Sequence, residues 1–511
     1  AGGFISNIDM AGSITAQARN FISEMVWDIE RFLGSNYTFE NVNEIYCWFD
    51  CLFKLKDSLD WSDLKDYITY IPTADECMEK FAYTTRDVKN IRKNMLHLLK
   101  TSFIMFDSMS VDRRIFYYYS YDPIKLISKN PKILELVNKL AFSKYEYINP
   151  YIFDGIKPDT TKEELLKIFT EKFDEETGKN ITEFYLDLLL FRKIMKTFCF
   201  ATVSIANRVE KYQIRRRKVC VIGDTDSTMP SYRTITRETL KALGKEELIK
   251  TDSVVSTRLI MVWITVTSDL MEEACMRFVV DCNQYDPNDA FFMRMKNEFF
   301  FPMVLLYGVK KHYVGLQTIQ EGKMVPKNKQ LAITGRALGS SSLNEFVTEH
   351  FLNIIENDIL RSDVFDPLIV FERVMDVKKH IQEQLLAGDK TFGIYAAFNG
   401  AHNVKNPETT SNVRAAVIWN DLYPDDYISP GDKIYVFNTS LKTIEDIENI
   451  DEKYHDIKER IKQTVFKPKD GMDFSRFGLK TFAMPAYGDT VSIPEWIIPY
   501  ILINDMAEKH L

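Results

Sequence analysis

The sequence predicts an α+β fold, in which a long helical stretch precedes a few short antiparallel strands. Apolar residues recur at helical spacing over 13–33 and through most of 35–210. The pattern then changes to short runs rich in β-branched residues, beginning with a hairpin pattern at 218–232. The predicted helices lie at 13–33, 88–104, 124–142, 161–175, 182–211, 342–361, 370–386 and 443–464, with two more inside 235–280. Extended structure is predicted over 290–320, and strands at 414–419 and 433–437.

Length and composition are those of a globular protein with several domains. The chain has 511 residues, which suggests about three domains. Hydrophobic residues make up 45% and aromatic residues 13%, which excludes extensive disorder. The net charge of −8 argues against a general nucleic-acid coat protein, so any phosphate contact must come from local basic clusters. A cytoplasmic location is expected, because no signal peptide is recognisable and the longest apolar run, Leu259–Val266, is too short to span a membrane.

The sharpest local feature is the tip of the predicted hairpin, Gly223 to Asp226. Alternate residues of a strand share a face, so Asp224 and Asp226 are expected to point the same way. Two carboxylates on a tight turn suit Mg²⁺, which binds one or two carboxylates together with substrate phosphates and water. A lone Asp-x-Asp is more often a plain turn. Residues 487–490 repeat part of the string, but Val491 replaces the second carboxylate, which predicts a loop without a metal.

Basic and small polar residues follow the hairpin along the chain. Lys310, Lys311 and Tyr313 form a Lys-Lys-x-Tyr string, whose amine and hydroxyl groups suit the minor-groove acceptors that every correct base pair presents. Each cluster alone is more often a solvated surface, but together they predict a track for a nucleic-acid backbone. The residues suited to phosphate contacts further along are Thr334, Gly335, Arg336 and Ser340.

With these motifs in this order, the chain resembles the C-terminal part of a family B DNA polymerase of the kind that tailed phages encode. The segment 222–227 is similar to the family's palm motif C, and Lys310–Tyr313 to its Lys-Lys-x-Tyr motif. Thr15–Arg19 is similar to the Thr-x-x-Gly-Arg string that follows the fingers, with Ala18 in place of Gly. The other similar segments are 331–343 at the palm-to-thumb crossing, Val413–Val417 and Gly431–Phe437 as thumb strands, and Ile493–Trp496 before the final helix.

The resemblance implies a partial right-hand polymerase fold, with an antiparallel palm sheet and its helices, a mostly helical thumb and a large helical insertion. Residues 1–34 correspond to a helix that follows the fingers and enters the palm, and 35–205 to the insertion. Residues 206–330 correspond to the palm and 331–511 to the thumb. Motifs A and B and the exonuclease motifs are not found in the sequence. The first hypothesis is therefore that the chain is the C-terminal subunit of a split polymerase.

The resemblance also implies an activity, the template-directed addition of dNTPs to a primer 3′-hydroxyl with two Mg²⁺ ions shared with a partner chain. Asp226 is expected to bind the metal ions, and Asp224 to act as the secondary carboxylate. The residues expected to contact primer–template DNA are Lys310, Lys311, Tyr313, Thr334, Gly335, Arg336, Ser340, Arg414 and Arg19. The expected partners are an N-terminal subunit with the exonuclease, motif A and the fingers, and other replication proteins.

Three alternatives stay open at this point. The chain can be a non-catalytic DNA-binding or assembly subunit that retained the polymerase fold, although the intact pair of Asp224 and Asp226 argues against that. An RNA-synthesising enzyme is less well supported, because its palm often has adjacent Asp residues after Gly. The run Phe116–Tyr119 fits a base-stacking platform or, more often, a buried core.

Overall fold

The computed structural model shows many helices and several small antiparallel sheets, which confirms the predicted α+β class. It describes residues 8–36, 38–39, 41–85, 91–144, 153, 156, 160–202, 217, 219–223, 227–250, 253–282, 286, 297–308, 312–321, 323–335, 344–362, 364–400, 403–407, 409–467 and 473–511. The chain divides into two compact units. The first is Ala1–Phe300 with Ile319–Val325, and the second is Phe301–Thr318 with Pro326–Leu511.

The two compact units relate simply to the four segments expected from the sequence. The main part of the second unit begins at Pro326, close to the predicted thumb boundary at 331. The predicted boundaries at 34 and 205 fall inside the first unit. The four-part division stays a prediction.

The first unit is mostly helical. Polar side chains cap several of its helices: Asn41 accepts the backbone N–H of Glu44, and Thr161 and Glu164 form a capping box. Its helices are α1 (Ile8–Gly34), α2 (Val42–Asp57), α3 (Ala74–Thr85), α4 (Ile91–Ser108), α5 (Val111–Tyr119), α6 (Pro123–Lys129), α7 (Pro131–Ala141), α8 (Lys162–Lys172), α9 (Glu175–Phe198), α10 (Arg233–Ala242) and α11 (Val254–Arg277).

Most helices predicted in this unit are confirmed, with two corrections. The region 124–142 contains two helices, because Pro131 starts α7 and lacks the N–H that would continue α6. The helix predicted over 182–211 ends at Phe198. The buried amine of Lys56 donates to the carbonyl of Thr197 at 2.7 Å. The amide N–H of Tyr121 donates to the carbonyl of Cys199 at 2.8 Å. These partners satisfy carbonyls at the helix end and turn the chain away.

One apolar core joins α1 to the helices between residues 42 and 198 and to α10 and α11. Met25, Ile29 and Phe32 place the buried face of α1 in this core, each 0% exposed. Phe116–Tyr119 lie on α5, each at most 3% exposed. The core interpretation of this aromatic run is therefore confirmed, and the stacking platform is wrong.

The segment Val254–Val280 is long and apolar enough to cross a membrane by length and composition alone. It comprises α11 and the residues just after it, and much of it is buried in the first unit. Trp263, Val266 and Leu270 are at most 1% exposed. A core helix of this kind is weak support for a membrane span.

The strands of the first unit form two small sheets. Strands β1 (Cys220–Gly223) and β2 (Thr228–Pro230) pair antiparallel, which confirms the predicted hairpin. A three-stranded sheet has the order β3-β6-β7, and its strands are β3 (Phe299–Phe300), β6 (Ile319–Gln320) and β7 (Lys323–Met324).

The second unit contains two three-stranded antiparallel sheets and a separate core. One sheet has the order β4-β5-β8, with β4 (Val304–Leu306), β5 (Tyr313–Leu316) and β8 (Leu331–Thr334). The other has the order β11-β10-β9, with β9 (Ile394–Ala397), β10 (Lys433–Asn438) and β11 (Thr481–Pro485). The helices are α12 (Glu345–Asn353), α13 (Pro367–Leu386), α14 (Ser411–Leu422), α15 (Ile444–Glu448), α16 (His455–Val465) and α17 (Ile503–His510).

Three predictions in this unit need correction. The strand predicted at 414–419 is wrong, because these residues lie inside α14, whose side chains are buried on most sides. The helix predicted from a capping box at Ser342 is capped instead by Asn344, whose side chain accepts the N–H of Val347. The helix predicted over 443–464 is interrupted between α15 and α16.

Candidate functional site

The antiparallel hairpin β1–β2 brackets the Asp224-Thr225-Asp226 string. Gly223 pairs with Thr228 at the end of the ladder, so the two strands meet on either side of the acidic residues. Asp224 and Asp226 themselves lie outside the described residues. Val221 on β1 is 47% exposed, although its side chain is apolar. The hairpin therefore exposes part of an apolar strand next to the acidic string in the sequence.

The start of β1 is fixed to α1 by a buried carboxylate. Glu30 is 0% exposed, and its Oε1 accepts the amide N–H of Cys220 at 2.9 Å. Its Oε2 accepts a hydrogen bond from Nδ2 of Asn36 at 2.7 Å. Asn36 also binds the backbone of Arg217, donating to its carbonyl and accepting from its amide at 3.3 Å. Two points before the acidic tip are thus bound to the C-terminal end of α1.

The side chain of Arg217 lies inside this junction. It is 4% exposed, and its guanidinium donates to the carbonyl of Leu33 and to Oγ of Ser35, each at 3.3 Å. It also pairs with the carboxylate of Glu238 on α10 at 2.5 Å. Arg217 belongs to a basic run at 215–218, just before the hairpin. Its burial makes it a structural arginine rather than a phosphate-binding one.

A further ionic cluster lies on α1 around Asp28 and Arg31. Asp28 is 4% exposed and accepts hydrogen bonds from the hydroxyl of Tyr121 at 2.9 Å and from Arg31 at 3.3 Å. Burial raises the pKa of Asp28, with Arg31 acting in the opposite direction. Burial also raises the pKa of Glu24 to about 7, again opposed by Arg31. This face of α1 therefore holds one carboxyl group, that of Glu24, whose protonation changes near neutral pH.

In the second unit, the sheet β4-β5-β8 brings together three of the predicted DNA-binding residues. Tyr313 begins β5 and lies opposite Thr334 at the end of β8. Gly335 follows with φ +100°, and a Cβ there would collide with the ring of His312. Tyr313 and Thr334 are partly exposed and Gly335 is exposed. These residues lie next to one another at one end of the three-stranded sheet.

The remaining predicted DNA-binding residues have different positions. Lys310 and Lys311 lie outside the described residues, between β4 and β5, as do Arg336 and Ser340 after β8. Arg19 is exposed on α1. Arg414 is 4% exposed, stacks on Phe477 at 4.6 Å and binds Thr481 at 3.4 Å. Since the guanidinium of Arg414 is held inside the core, the predicted contact with duplex backbone at this residue is not supported.

The family match decides what kind of protein carries these features. Residues 11–511 match the model of the divergent family B DNA polymerases. The chain belongs to this family. No curated protein matches the sequence at a significant level.

The family assignment of this divergent family B DNA polymerase confirms the coarser part of the predicted resemblance. It supports a DNA polymerase-related function, with DNA template and dNTPs as the implied ligands. The tailed-phage type, the split chain and the metal-binding roles stay predictions. Nearly the whole chain is matched, including residues 35–205, for which the sequence comparison with known motifs found no counterpart.

The donor set at the hairpin tip is chemically suited to Mg²⁺. Asp224 and Asp226 offer hard carboxylate oxygens, which is the ligand type that Mg²⁺ prefers. Within the part of the chain that the structure describes, no group of three or more His, Cys, Asp or Glu side chains is arranged to hold a metal ion. The acidic tip is therefore the candidate metal site that the sequence singles out.

The anchoring residues Glu30, Asn36 and Arg217 were missed by reasoning from the sequence. Glu30 lies inside the predicted helix 13–33 and Asn36 shortly after it, so their sequence context is that of ordinary surface or turn residues. Arg217 lies in a basic run. Arg217 and Asn36 are 181 positions apart in the chain. No local pattern indicates that they meet, since only the packing of α1 beside the hairpin brings them together.

Proposed function

We propose that this chain is the C-terminal subunit of a template-directed DNA polymerase, which adds dNTPs to the 3′-hydroxyl of a primer. The observation that carries the proposal is the antiparallel hairpin that brackets Asp224 and Asp226 in a member of the divergent family B DNA polymerases. A hairpin whose root is bound to α1 is a suitable support for carboxylates that must hold a fixed geometry. In this proposal residues 206–330 contribute part of a palm and residues 331–511 a thumb.

Asp226 is the proposed direct metal ligand, and Asp224 the secondary carboxylate. A pair of Mg²⁺ ions, when bound, would supply charge stabilisation for the attacking and leaving oxygens of a phosphoryl transfer. The chain's own part is to hold its carboxylates in position through β1 and β2, and to bind the primer–template so that the 3′-end lies near them. The chemistry of the donor set supports this assignment.

A partner chain is part of the proposal because one pair of carboxylates cannot readily hold two Mg²⁺ ions. The partner would supply the motif A carboxylate and a basic fingers residue for the triphosphate. Two features of the hairpin are consistent with a further covering element. Val221 is 47% exposed, and a two-stranded hairpin is marginally stable without further packing.

The proposed DNA-binding surface includes Tyr313, Thr334 and Gly335, together with Lys310 and Lys311, which shortly precede Tyr313 in the sequence. The tyrosine hydroxyl and the lysine amines are hydrogen-bond donors, and backbone at a glycine can approach a phosphate closely. Tyr313 and Thr334 lie opposite each other on β5 and β8, which supports a joint role of the two residues in DNA binding. Arg19 is proposed as an additional contact from the exposed part of α1.

The second candidate function is a non-catalytic DNA-binding or assembly subunit that retains the polymerase fold. The divergent character of the family is compatible with it. The two functions differ in one requirement, because only an active polymerase needs the carboxylates of Asp224 and Asp226. Activity of the partnered complex therefore distinguishes them.

The test is primer extension with dNTPs by the chain reconstituted with its motif A partner, which the neighbouring reading frame is expected to encode. Asp226→Ala should abolish extension and leave primer–template binding within a few-fold. Asp489→Ala is the matched control, because Asp489 follows Gly488 and precedes Thr490 in an exposed turn after β11. Extension that survives Asp226→Ala would refute the metal assignment. Extension by the purified chain alone would refute the partner requirement.

A further inference from the structure

The hairpin with the acidic tip has its root bound to α1 through one side chain. Strand β1 pairs with β2 along one edge, so an amide on its other edge needs an acceptor elsewhere. Glu30 supplies that acceptor to Cys220 at 2.9 Å. The other oxygen of the same carboxyl group accepts a hydrogen bond from Asn36 at 2.7 Å, so the group that holds Cys220 is itself held in place.

We infer that Glu30 is a positioning residue for Asp224 and Asp226. The inference rests on the proposed function, because it takes these aspartates as the metal-binding groups. Glu30 acts at the root of the hairpin, and its effect reaches the tip through the strand. It has no proposed contact with substrate or metal.

The geometry of the strand explains why the root matters. Gly223, the last residue of β1, follows Cys220 by three residues, which is roughly 10 Å of strand. A tilt of roughly 5° at the root would then move the end of β1 by about 1 Å, and a displacement of that size at catalytic groups can cost about 100-fold in rate. A small change at Glu30 is therefore expected to have a large effect on the aspartates.

Asn36 strengthens the attachment by joining it to a second point on the chain. Its Nδ2 donates to Oε2 of Glu30 at 2.7 Å, and the same residue binds the backbone of Arg217. The orientation of the carboxylate is thereby fixed by two donors on different elements. Residues 217 and 220 are held by one helix end, which limits rotation of the hairpin about its root.

The competing explanation is that Glu30 only stabilises the first unit. Asp28 provides the matched comparison, because it lies on the same helix, is 4% exposed and accepts hydrogen bonds from Tyr121 and Arg31. It has no described contact with the hairpin. A purely structural role predicts equal effects of Glu30→Gln and Asp28→Asn on metal binding, and a positioning role predicts unequal ones.

The experiment is a titration with Mn²⁺ of the full chain reconstituted with its motif A partner, which is proposed to supply the remaining metal ligand, followed by electron paramagnetic resonance. Glu30→Gln keeps the side-chain shape, but its amide presents a donor toward Nδ2 of Asn36, so the attachment is broken on one side. We expect Glu30→Gln to weaken Mn²⁺ binding about 10-fold or more, the range found for residues that orient metal ligands. Asp28→Asn should leave the affinity within about two-fold of the wild type, well below that range.

Asp226→Ala separates failure of this inference from failure of the proposed function. If Asp226→Ala loses Mn²⁺ binding and Glu30→Gln keeps it, Glu30 does not position the site, and the metal assignment stands. If Asp226→Ala binds Mn²⁺ like the wild type, the proposed metal assignment itself is wrong.

A measurement on the wild type covers the case in which Glu30→Gln does not fold. The amide hydrogen of Cys220 should exchange with solvent at least about 100-fold more slowly than an unstructured amide, because it is bound to a buried acceptor. Exchange at the unstructured rate would overturn the inference without any variant.

Discussion

Arg192 on α9 and Asp269 on α11 form a bidentate ion pair, with Nε to Oδ2 and Nη2 to Oδ1 both at 2.6 Å. Their side chains are 31% and 20% exposed. Helix α9 belongs to the predicted insertion, whereas α11 packs against α1, which holds the hairpin root. The helical segment 35–205 is therefore tied by both apolar and ionic contacts to the helices that support the candidate site.

Breaking this pair is expected to destabilise the first unit. Arg192→Lys keeps the charge and removes the two-pronged geometry, so the free energy of unfolding should fall by about 1 to 2 kcal/mol. Urea unfolding followed by tryptophan fluorescence measures the change. The control is Glu175→Gln in the pair Lys179–Glu175, whose side chains are 56% and 78% exposed. That change should cost much less, because solvent screens an exposed ion pair, and an equal cost for both variants would contradict the prediction.

Glu24 is expected to make the stability of the first unit depend on pH. Burial raises its folded-state pKa to about 7 from the model-compound value of 4.5, so the folded state binds more protons between these values. The contribution of Glu24 is therefore fully present below pH 4.5 and is lost as pH rises to about 7. Glu24→Gln should exceed the wild type in free energy of unfolding by about 1 to 2 kcal/mol at pH 8 and match it closely at pH 5.

The measurement for Glu24 is a series of urea unfolding curves between pH 5 and pH 8. Glu183→Gln, an exposed position on α9, is the control and should show the same pH dependence as the wild type. A constant difference between Glu24→Gln and the wild type across the series would mean that Glu24 does not titrate in this range.

The parts of the fold that sequence reasoning predicted are those with strong local signals. The hairpin around Gly223 was predicted because two short β-branched runs flank a turn, and α1 because its apolar residues recur at helical spacing. The strand predicted at Arg414 failed for a physical reason. Val413, Ala415, Ala416, Ile418 and Trp419 are each at most 2% exposed, so α14 has no polar face and its short apolar run shows no helical period.

In the candidate site, too, local sequence patterns predicted some features, and the others depend on contacts between residues far apart in the chain. The acidic tip and the Lys-Lys-x-Tyr string are local, and the family match agrees with the assignment that they suggested. The anchoring of Cys220 by Glu30 depends on a contact 190 positions apart in the chain. The burial of Arg414 depends on Phe477 and Thr481, which no local pattern places beside it.

Gly335 is expected to be intolerant of a side chain for two separable reasons. Its φ of +100° is strained for other residues, and a Cβ would collide with the ring of His312. Gly431 has φ +102° and no atom near the position of a Cβ, so Gly431→Ala measures the backbone cost alone. Gly335→Ala should lower the free energy of unfolding of the second unit by at least about 1 kcal/mol more than Gly431→Ala does.

The collision at Gly335 has a direct check. Adding His312→Ala to Gly335→Ala should recover the part of the stability that exceeds the loss in Gly431→Ala, because the added methyl then has room. Chemical unfolding of the wild type, Gly335→Ala, His312→Ala and the double variant forms a cycle that isolates this interaction. No recovery in the double variant would show that the backbone conformation alone accounts for the loss.

Lys310 and Arg414 are expected to differ in their effect on DNA binding, although the sequence assigned both to the same role. A lysine that binds a phosphate releases a counterion, so Lys310→Ala should weaken primer–template binding several-fold. It should also make the slope of the logarithm of the binding constant against the logarithm of the salt concentration shallower by about one unit. Arg414 is 4% exposed and stacks on Phe477. Arg414→Met should therefore lower the unfolding midpoint of the second unit and leave the slope unchanged. Fluorescence anisotropy over a range of salt concentrations measures both, and a slope change in Arg414→Met equal to that in Lys310→Ala would show that the buried arginine reaches DNA after all.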